Sequence, residues 1–254
     1  MPCWIASHRG ERTMSIDDIR IVLVEPSHPG NIGAVARAMN TMGLTRLSLV
    51  RPRIFPSAEA DDRAVGSIPI LRSARVVGEL MDVVGDCRLV IGCSARARTF
   101  PLPELEPRAC AALLVAESAG NDPVALVFGT ERTGLENRDL DLCTHQAVIP
   151  TGGGISSLNL AAAVQLLCYE IHLAAREPGD ATAARPARRP SHPIAMEAFY
   201  HHLESALDSR GFLEGDLREA TKTKLRRLFG RARPSPSELK FLHSLAKMIH
   251  AEGE

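Results

Sequence analysis

The sequence predicts an α/β fold: a parallel sheet with helices on both faces, followed by a small all-helical C-terminal extension. Three observations lead there. Short apolar runs alternate with helical patterns through residue 176. The runs are apolar at successive positions, not at every second one, as in strands covered on both faces. Beyond a stretch rich in proline, alanine and arginine, only helical patterns remain.

Residues 20–25 (RIVLVE) read as the first strand, and Pro26, Pro29 and Gly30 as a loop. Residues 32–42 have helical spacing, with Val35, Met39 and Met42 on one face and Gly43 as the stop. Residues 47–50 are a second strand, and 76–84 have helical spacing through Leu80. A third strand covers 88–92, a helix 106–118, a fourth strand 124–128 and a short fifth 147–149. The helix predicted over 158–175 is apolar nearly all round and should be buried on several sides.

The expected domains are a flexible extension over 1–17, an α/β domain over 18–176, a linker over 177–193 and a helical domain over 194–254. The first C-terminal helix spaces Met196, Phe199, Tyr200, Leu203 and Leu207 along one side. The second has Asp216 and Glu219 in capping-box positions and is expected to bury Leu217, Leu225 and Leu228. The third opens on Ser235-Pro-Ser-Glu238, a capping box with proline at the first helical position, and continues through Leu239, Leu242, Leu245 and Ile249. Roughly sixty residues of helix bury little by themselves. This domain should lean on the first or on a second subunit.

Lysine plus arginine equals aspartate plus glutamate, 30 each, so the whole molecule carries no net attraction for nucleic acid. Any such attraction must be local. Aromatic residues make up 4%, too few for a base-stacking platform. The six cysteines have neither C-x-x-C spacing nor histidines at ligand spacing, which predicts reduced thiols, a cytoplasmic protein and no metal. No run of eighteen apolar residues predicts a membrane span.

Three stretches have the composition of a ligand site. The first, residues 25–40, runs from a strand through a proline–glycine loop into a helix carrying Asn31 and Arg37. It lacks the third glycine of a dinucleotide fingerprint and the lysine of a phosphate-binding loop. Taken alone, Arg37 is a surface arginine on an amphipathic helix; as a functional group it is a cation suited to forking onto phosphate oxygens. The second stretch, 127–135, places Gly129 and Glu131 at the carboxyl end of a parallel strand, where such sheets bind ligands. The third follows the glycine run 151–154 with Ser156, Ser157, Leu158 and Asn159 at the start of an apolar helix, where either serine could be a plain N-cap.

The N-x-G-x-x-x-R helix, the F-G-x-E-x-x-G-L turn and the S-S-L-N-L-A helix start, in that order, resemble the SPOUT superfamily of RNA methyltransferases. The likeness covers residues 19–175 and extends to the tail pattern at 224–234. It implies a trefoil-knotted α/β domain, an obligate homodimer and S-adenosylmethionine as cofactor. It also implies 2′-O-methylation of a cytidine or uridine ribose, at position 32 of the tRNA anticodon loop. By motif match, the cofactor residues are Cys93, Ser94, Ala95, Gly129, Ile149, Ser156, Ser157 and Leu158. Arg37 becomes the catalytic arginine, accompanied by Asn31, Glu131, Ser157 and Asn159. Beside such a core, the basic run Lys222, Lys224, Arg226, Arg227, Arg231 and Arg233 is expected to contact tRNA phosphates. The alternatives are a ribosomal-RNA 2′-O-methyltransferase of the same fold and a knotted RNA-binding protein without catalysis.

Overall fold

The apolar runs form one sheet because each strand carries two apolar faces. The computed structural model describes residues 16–95, 102–120, 122–153, 157–176, 191–213 and 218–251. In chain order the elements are β1 (Ile19–Val24), α1 (Pro29–Thr41), β2 (Arg46–Val50), α2 (Ala58–Ala64), α3 (Ile68–Arg72), β3 (Arg75–Val77), α4 (Met81–Val84) and β4 (Leu89–Cys93). There follow β5 (Glu104–Leu105), α5 (Pro107–Ser118), β6 (Val124–Phe128), α6 (Asn137–Leu140), β7 (His145–Ala147) and α7 (Leu160–Arg176). The C-terminal helices are α8 (Pro193–Asp208), α9 (Arg218–Ala232) and α10 (Pro236–Ala251).

The sheet order is β3-β2-β1-β6-β4-β7-β5, and every pairing is parallel. Side chains alternate across it, as the two-residue period of a strand requires. Ile19, Ile21, Leu23, Leu49, Ile91 and Leu126 join one core with α1, α5 and α7. Val22, Val24, Val50, Val90, Ala125 and Val127 join a second with α4 and α6. The centrally placed β6 lies between β1 and β4. The loops leaving the carboxyl ends of these three strands therefore lie side by side.

Several elements depart from the expectations. Residues 75–77 are an edge strand, and only 81–84 are helical, so the expected helix over 76–84 is a strand, a turn and a short helix. Backbone pairing with β2 outweighs the helical spacing of the side chains here. Helices α2 and α3 and strand β5 are too short to leave a periodic signal. Helix α1 starts at Pro29, so Gly30 belongs to the helix and not to the loop. Both α1 glycines face α2. A Cβ on Gly33 would lie 2.1 Å from the Ala60 carbonyl oxygen, so the two backbones are in direct contact there. Helix α7 buries Leu160, Ala163, Val164, Leu167, Cys168 and Ile171, while Tyr169 is half exposed. An ion pair that the sequence does not announce joins Arg88 to Glu117 at 2.6 Å, with the side chains 5% and 4% exposed.

The C-terminal helices share a core of Met196, Phe199, Tyr200 and Leu239, backed by Leu203, Phe229 and Leu242. Glu238 accepts the Ser235 N–H at 2.9 Å, as the capping pattern predicts, and also the Ser235 hydroxyl at 2.8 Å. Leu228 is not buried as expected: it is 52% exposed, and Leu225 is only partly covered. The helices do lean on the first domain. The Ile194 N–H donates to the Gly85 carbonyl (3.2 Å), and Arg227 meets Asp141 at 3.3 Å. Residues 1–15 of the expected extension, 177–190 of the linker, and Asp216 and Leu217 lie outside the described residues. Among the described residues, no helix is long and apolar enough to cross a membrane.

Because Gly33 has no room for a side chain, Gly33→Ala should force α1 away from α2. Overpacking of this kind costs about 1–3 kcal/mol. The check is the chemical-denaturation midpoint, which should fall with an unchanged denaturant slope.

Candidate active site

The first wall of the site is built by the turn after β6. A Cβ on Gly129 would lie 2.1 Å from the Gly134 carbonyl carbon, so the chain can fold back on itself only with glycine there. Thr130 and Gly134 exchange backbone hydrogen bonds at 3.3 and 3.0 Å, and Gly134 takes a positive φ of 67°. This tight loop aims Glu131 back across the sheet at the start of α1.

The Glu131 carboxylate accepts four hydrogen bonds. Oε2 receives the Ser27 N–H (3.0 Å) and hydroxyl (2.7 Å); Oε1 receives the His28 N–H (3.2 Å) and Asn31 Nδ2 (3.0 Å). The orphan N–H groups of a helix start favour an anion in this position. Partial burial would raise the Glu131 pKa, but the hydrogen bonds from Asn31 and Ser27 outweigh it and hold the carboxyl at about 2. Glu131 is therefore an ionised clamp, too weak a base to take a proton near neutrality.

Asn31 relays the clamp to the third stretch. Its Oδ1 accepts from Asn159 Nδ2 at 3.4 Å. Asn159 Oδ1 in turn accepts the Ala161 N–H at 2.9 Å. Asn159 thus caps α7, a task the sequence pattern left between Ser156 and Ser157. Ser157 is exposed beside the cleft, and Ser156 lies outside the described residues.

A cleft of about 390 Å³ opens beside this arrangement. Of the eight expected cofactor residues, Cys93, Ser94, Ala95, Gly129, Ile149, Ser157 and Leu158 line it. So do Phe128, Thr130, Arg132, Thr133, Gly134, Leu160 and Ala163, which the motif match did not include. Thr130 to Gly134 could have been suspected because they are contiguous with Gly129. Leu160 and Ala163 carry a one-turn spacing at the start of α7. Ser27 offered no signal, because its role depends on a glutamate 104 positions away. Burial pushes the Cys93 thiol up to about 12, so it is a neutral wall group and not a nucleophile.

Arg37 does not line the cleft. It is exposed on α1 and has no ion pair among the described residues. Asn31, Glu131 and Asn159 are joined by hydrogen bonds, with Ser157 at the rim of the cleft. The basic run in α9 is mostly neutralised. Arg226 pairs with Glu197 (2.7 Å) and Glu204 (2.9 Å) and lies over the Tyr200 ring at 4.8 Å. Arg227 pairs with Asp141, and Lys222 with Glu219 (3.2 Å). Arg233 is half-buried, with Nε and Nη2 shielded from solvent, which leaves Lys224 and Arg231 exposed and without ion pairs among the described residues. Among the described residues, no group of three or more histidine, cysteine or acidic side chains could hold a metal.

A parallel sheet whose carboxyl-end loops close a cleft behind a clamped helix start is a ligand-binding enzyme architecture. The family comparisons identify which one. Residues 18–169 match the SpoU rRNA methylase family, and the chain belongs to it. Residues 194–253 match the C-terminal domain of the tRNA methyltransferase TrmJ. The chain is 46% identical over 244 residues to the tRNA (cytidine/uridine-2′-O-)-methyltransferase TrmJ of Salmonella typhimurium, covering 94% of this chain and 99% of that protein. It is 44% identical to the TrmJ of Escherichia coli O1:K1, with 94% and 98% covered. Among solved structures, TrmJ from Z. mobilis ZM4 superposes with a TM-score of 0.79 at 31% identity, over 92% of this chain and 99% of that one. A probable methylase family protein from Haemophilus influenzae superposes with a TM-score of 0.60 at 37% identity, over 94% and 98%.

Glu131→Gln tests the clamp. Whichever way the amide turns, its NH2 faces donors, because both carboxylate oxygens accept from N–H groups. The loss should be about 1–2 kcal/mol once solvent screening is allowed for. The Glu131 pKa is depressed in the fold, so its contribution is present above the ordinary value of 4.5 and is lost as pH falls toward about 2. Thermal unfolding of wild type and variant from pH 7 to pH 2 should converge across that window.

Proposed function

We propose that this chain transfers a methyl group from S-adenosylmethionine to the ribose 2′-oxygen of a cytidine or uridine in tRNA, at position 32 of the anticodon loop. The observation that carries the reading is the likeness to tRNA 2′-O-methyltransferases over nearly the whole of both chains. The cleft supports it. Its volume falls in the range of small-molecule sites, and Phe128, Ile149 and Leu158 offer apolar walls beside the hydroxyls of Ser94, Thr130 and Ser157. That mixture suits a flat nucleoside with a charged tail.

When bound, the cofactor supplies an electrophilic sulfonium methyl group. The protein's task is then alignment, which lowers the barrier by holding the reacting groups in line. Glu131 and Asn159 fix the start of α1 through Asn31, and with it the helix that carries Arg37. Arg37 stays protonated, as arginine does in proteins, and so does not serve as the base. It binds the phosphate beside the target ribose and raises the acidity of the 2′-hydroxyl, whose proton passes to phosphate or solvent. Arg37 is exposed and has no ion pair among the described residues, which suits it to that role.

The rest of the reading concerns assembly and place. The trefoil-knotted path and the homodimer accompany the family resemblance, and the half-exposed Tyr169 on α7 gives a second subunit an apolar contact. The substrate places the work in the cytoplasm. On the C-terminal helices, phosphate contact falls to Lys224 and Arg231, while Arg226 and Arg227 hold the helices to each other and to the sheet domain.

Arg37→Ala should lower turnover at least 100-fold and leave calorimetric S-adenosylmethionine binding unchanged; wild-type turnover removes Arg37 from the mechanism. Mass-spectrometric mapping of treated tRNA should place the new methyl on the ribose at position 32. Methylation of ribosomal RNA in preference to tRNA overturns the reading. Replacing Lys224 and Arg231 together with glutamine should flatten the salt dependence of tRNA binding. Each phosphate contact contributes about 0.7–0.9 to the slope of log affinity against log salt, so the loss should be about 1.5.

A further inference from the structure

A second, smaller cavity of about 50 Å³ lies at the seam between the sheet domain and the C-terminal helices. Two guanidinium groups, Arg88 and Arg233, line it together with the Ser191 hydroxyl. A buried water needs roughly 10–15 Å³ measured this way, so the cavity exceeds one water and suits a single tetrahedral anion.

The charges around it do not balance locally. Arg88 is paired with Glu117. The two acids on the cavity wall are also taken, Asp141 by Arg227 and Glu197 by Arg226. Arg233 meets no carboxylate within ion-pair distance among the described residues. Its Nε and Nη2 are buried without hydrogen-bond partners among the described residues, as are Ser191 Oγ and the neighbouring His192 Nδ1. Burial lowers the Arg233 pKa, an effect that Glu117 opposes and Arg88 reinforces. Burial, aided by the Arg233 charge, also holds the nearby His145 down at about 4, so this imidazole is neutral near pH 7 and adds no competing charge. Arg233 lies in the turn that ends α9, with a φ of 45° and Pro234 after it, and it lines the cavity.

Two buried guanidinium nitrogens and a buried hydroxyl without partners among the described residues carry a desolvation cost which an anion removes. We propose that this seam cavity binds one phosphate group, held by Arg233 and Ser191 with Arg88 behind them. The guanidinium fork matches phosphate oxygens in geometry as well as charge. The same chemistry is offered by free inorganic phosphate and by a phosphodiester of an RNA backbone. The cavity is too small for a nucleotide, and it is separate from the cleft beside Glu131.

The test titrates inorganic phosphate into the full-length protein at constant ionic strength, with chloride as control. It follows the phosphorus NMR linewidth and the thermal midpoint. Wild type should show saturable broadening and a rise in midpoint; Arg233→Gln should bind at least 10-fold more weakly, and Ser191→Ala several-fold more weakly. If the occupant is an RNA phosphate instead, Arg233→Gln should reduce the salt slope of tRNA binding by about one contact. The proposal is overturned if wild type responds to phosphate no more than to chloride and the Arg233→Gln slope is also unchanged. An undiminished phosphate response in Ser191→Ala overturns it as well, and covers the case in which Arg233→Gln does not fold. Phosphate titration involves no methyl transfer, so this failure is distinct from failure of the methylation reading.

Discussion

The four hydrogen bonds accepted by the Glu131 carboxylate join parts of the chain that are far apart in sequence. Glu131 belongs to the turn after β6, Ser27 and His28 to the loop after β1, and Asn31 to the first turn of α1. Asn31 then meets Asn159, the cap of α7. A charged acceptor makes the strongest hydrogen bonds available here, and the N–H groups of a helix start are the donors most in need of one. Without that carboxylate, the Ser27 and His28 N–H groups and Asn31 Nδ2 would lose their acceptor, and α1 would be held by its packing and by the Asn31–Asn159 and Asn40–Ser67 hydrogen bonds. The cleft beside Glu131 and the position of Arg37 both depend on where α1 sits.

The clamp works because β6 sits between β1 and β4. In a sheet ordered by sequence, the turn after β6 would not lie against the loop after β1. Gly129 and Gly33 serve the same geometry at short range. One lets the turn fold back so tightly that a Cβ there would lie 2.1 Å from the Gly134 carbonyl carbon, and the other lets α1 rest on the α2 backbone. Neither glycine is there for flexibility; each marks a place where a side chain has no room.

The C-terminal helices show how far a charge run can mislead when read in one dimension. Six basic residues between 222 and 233 suggest an open electrostatic surface. In three dimensions Arg226 ties α9 to α8, Arg227 ties α9 to the sheet domain, and Arg233 turns inward at the seam. The acids that take up the first two, Glu197, Glu204 and Asp141, are 22 to 86 positions away. Local composition therefore described a basic patch of which only part reaches solvent. Conversely, the buried Arg88–Glu117 pair left no trace in any local pattern, because each partner alone resembles a surface charge.

The sequence by itself determined the α/β class, the four long strands and the three C-terminal helices, and it singled out the three motif stretches that hydrogen bonds join in the fold. These depend on periodicity and on glycine, proline and capping residues, which act over a few neighbours. Only the tertiary structure decided the strand order, the edge strand at 75–77, the choice of Asn159 over the serines as the α7 cap, and the role of Glu131 as a clamp. Each of these turns on partners brought together across the sheet. A hydrogen bond or ion pair between residues a hundred positions apart has no local signature, and its strength depends on burial that the whole fold creates.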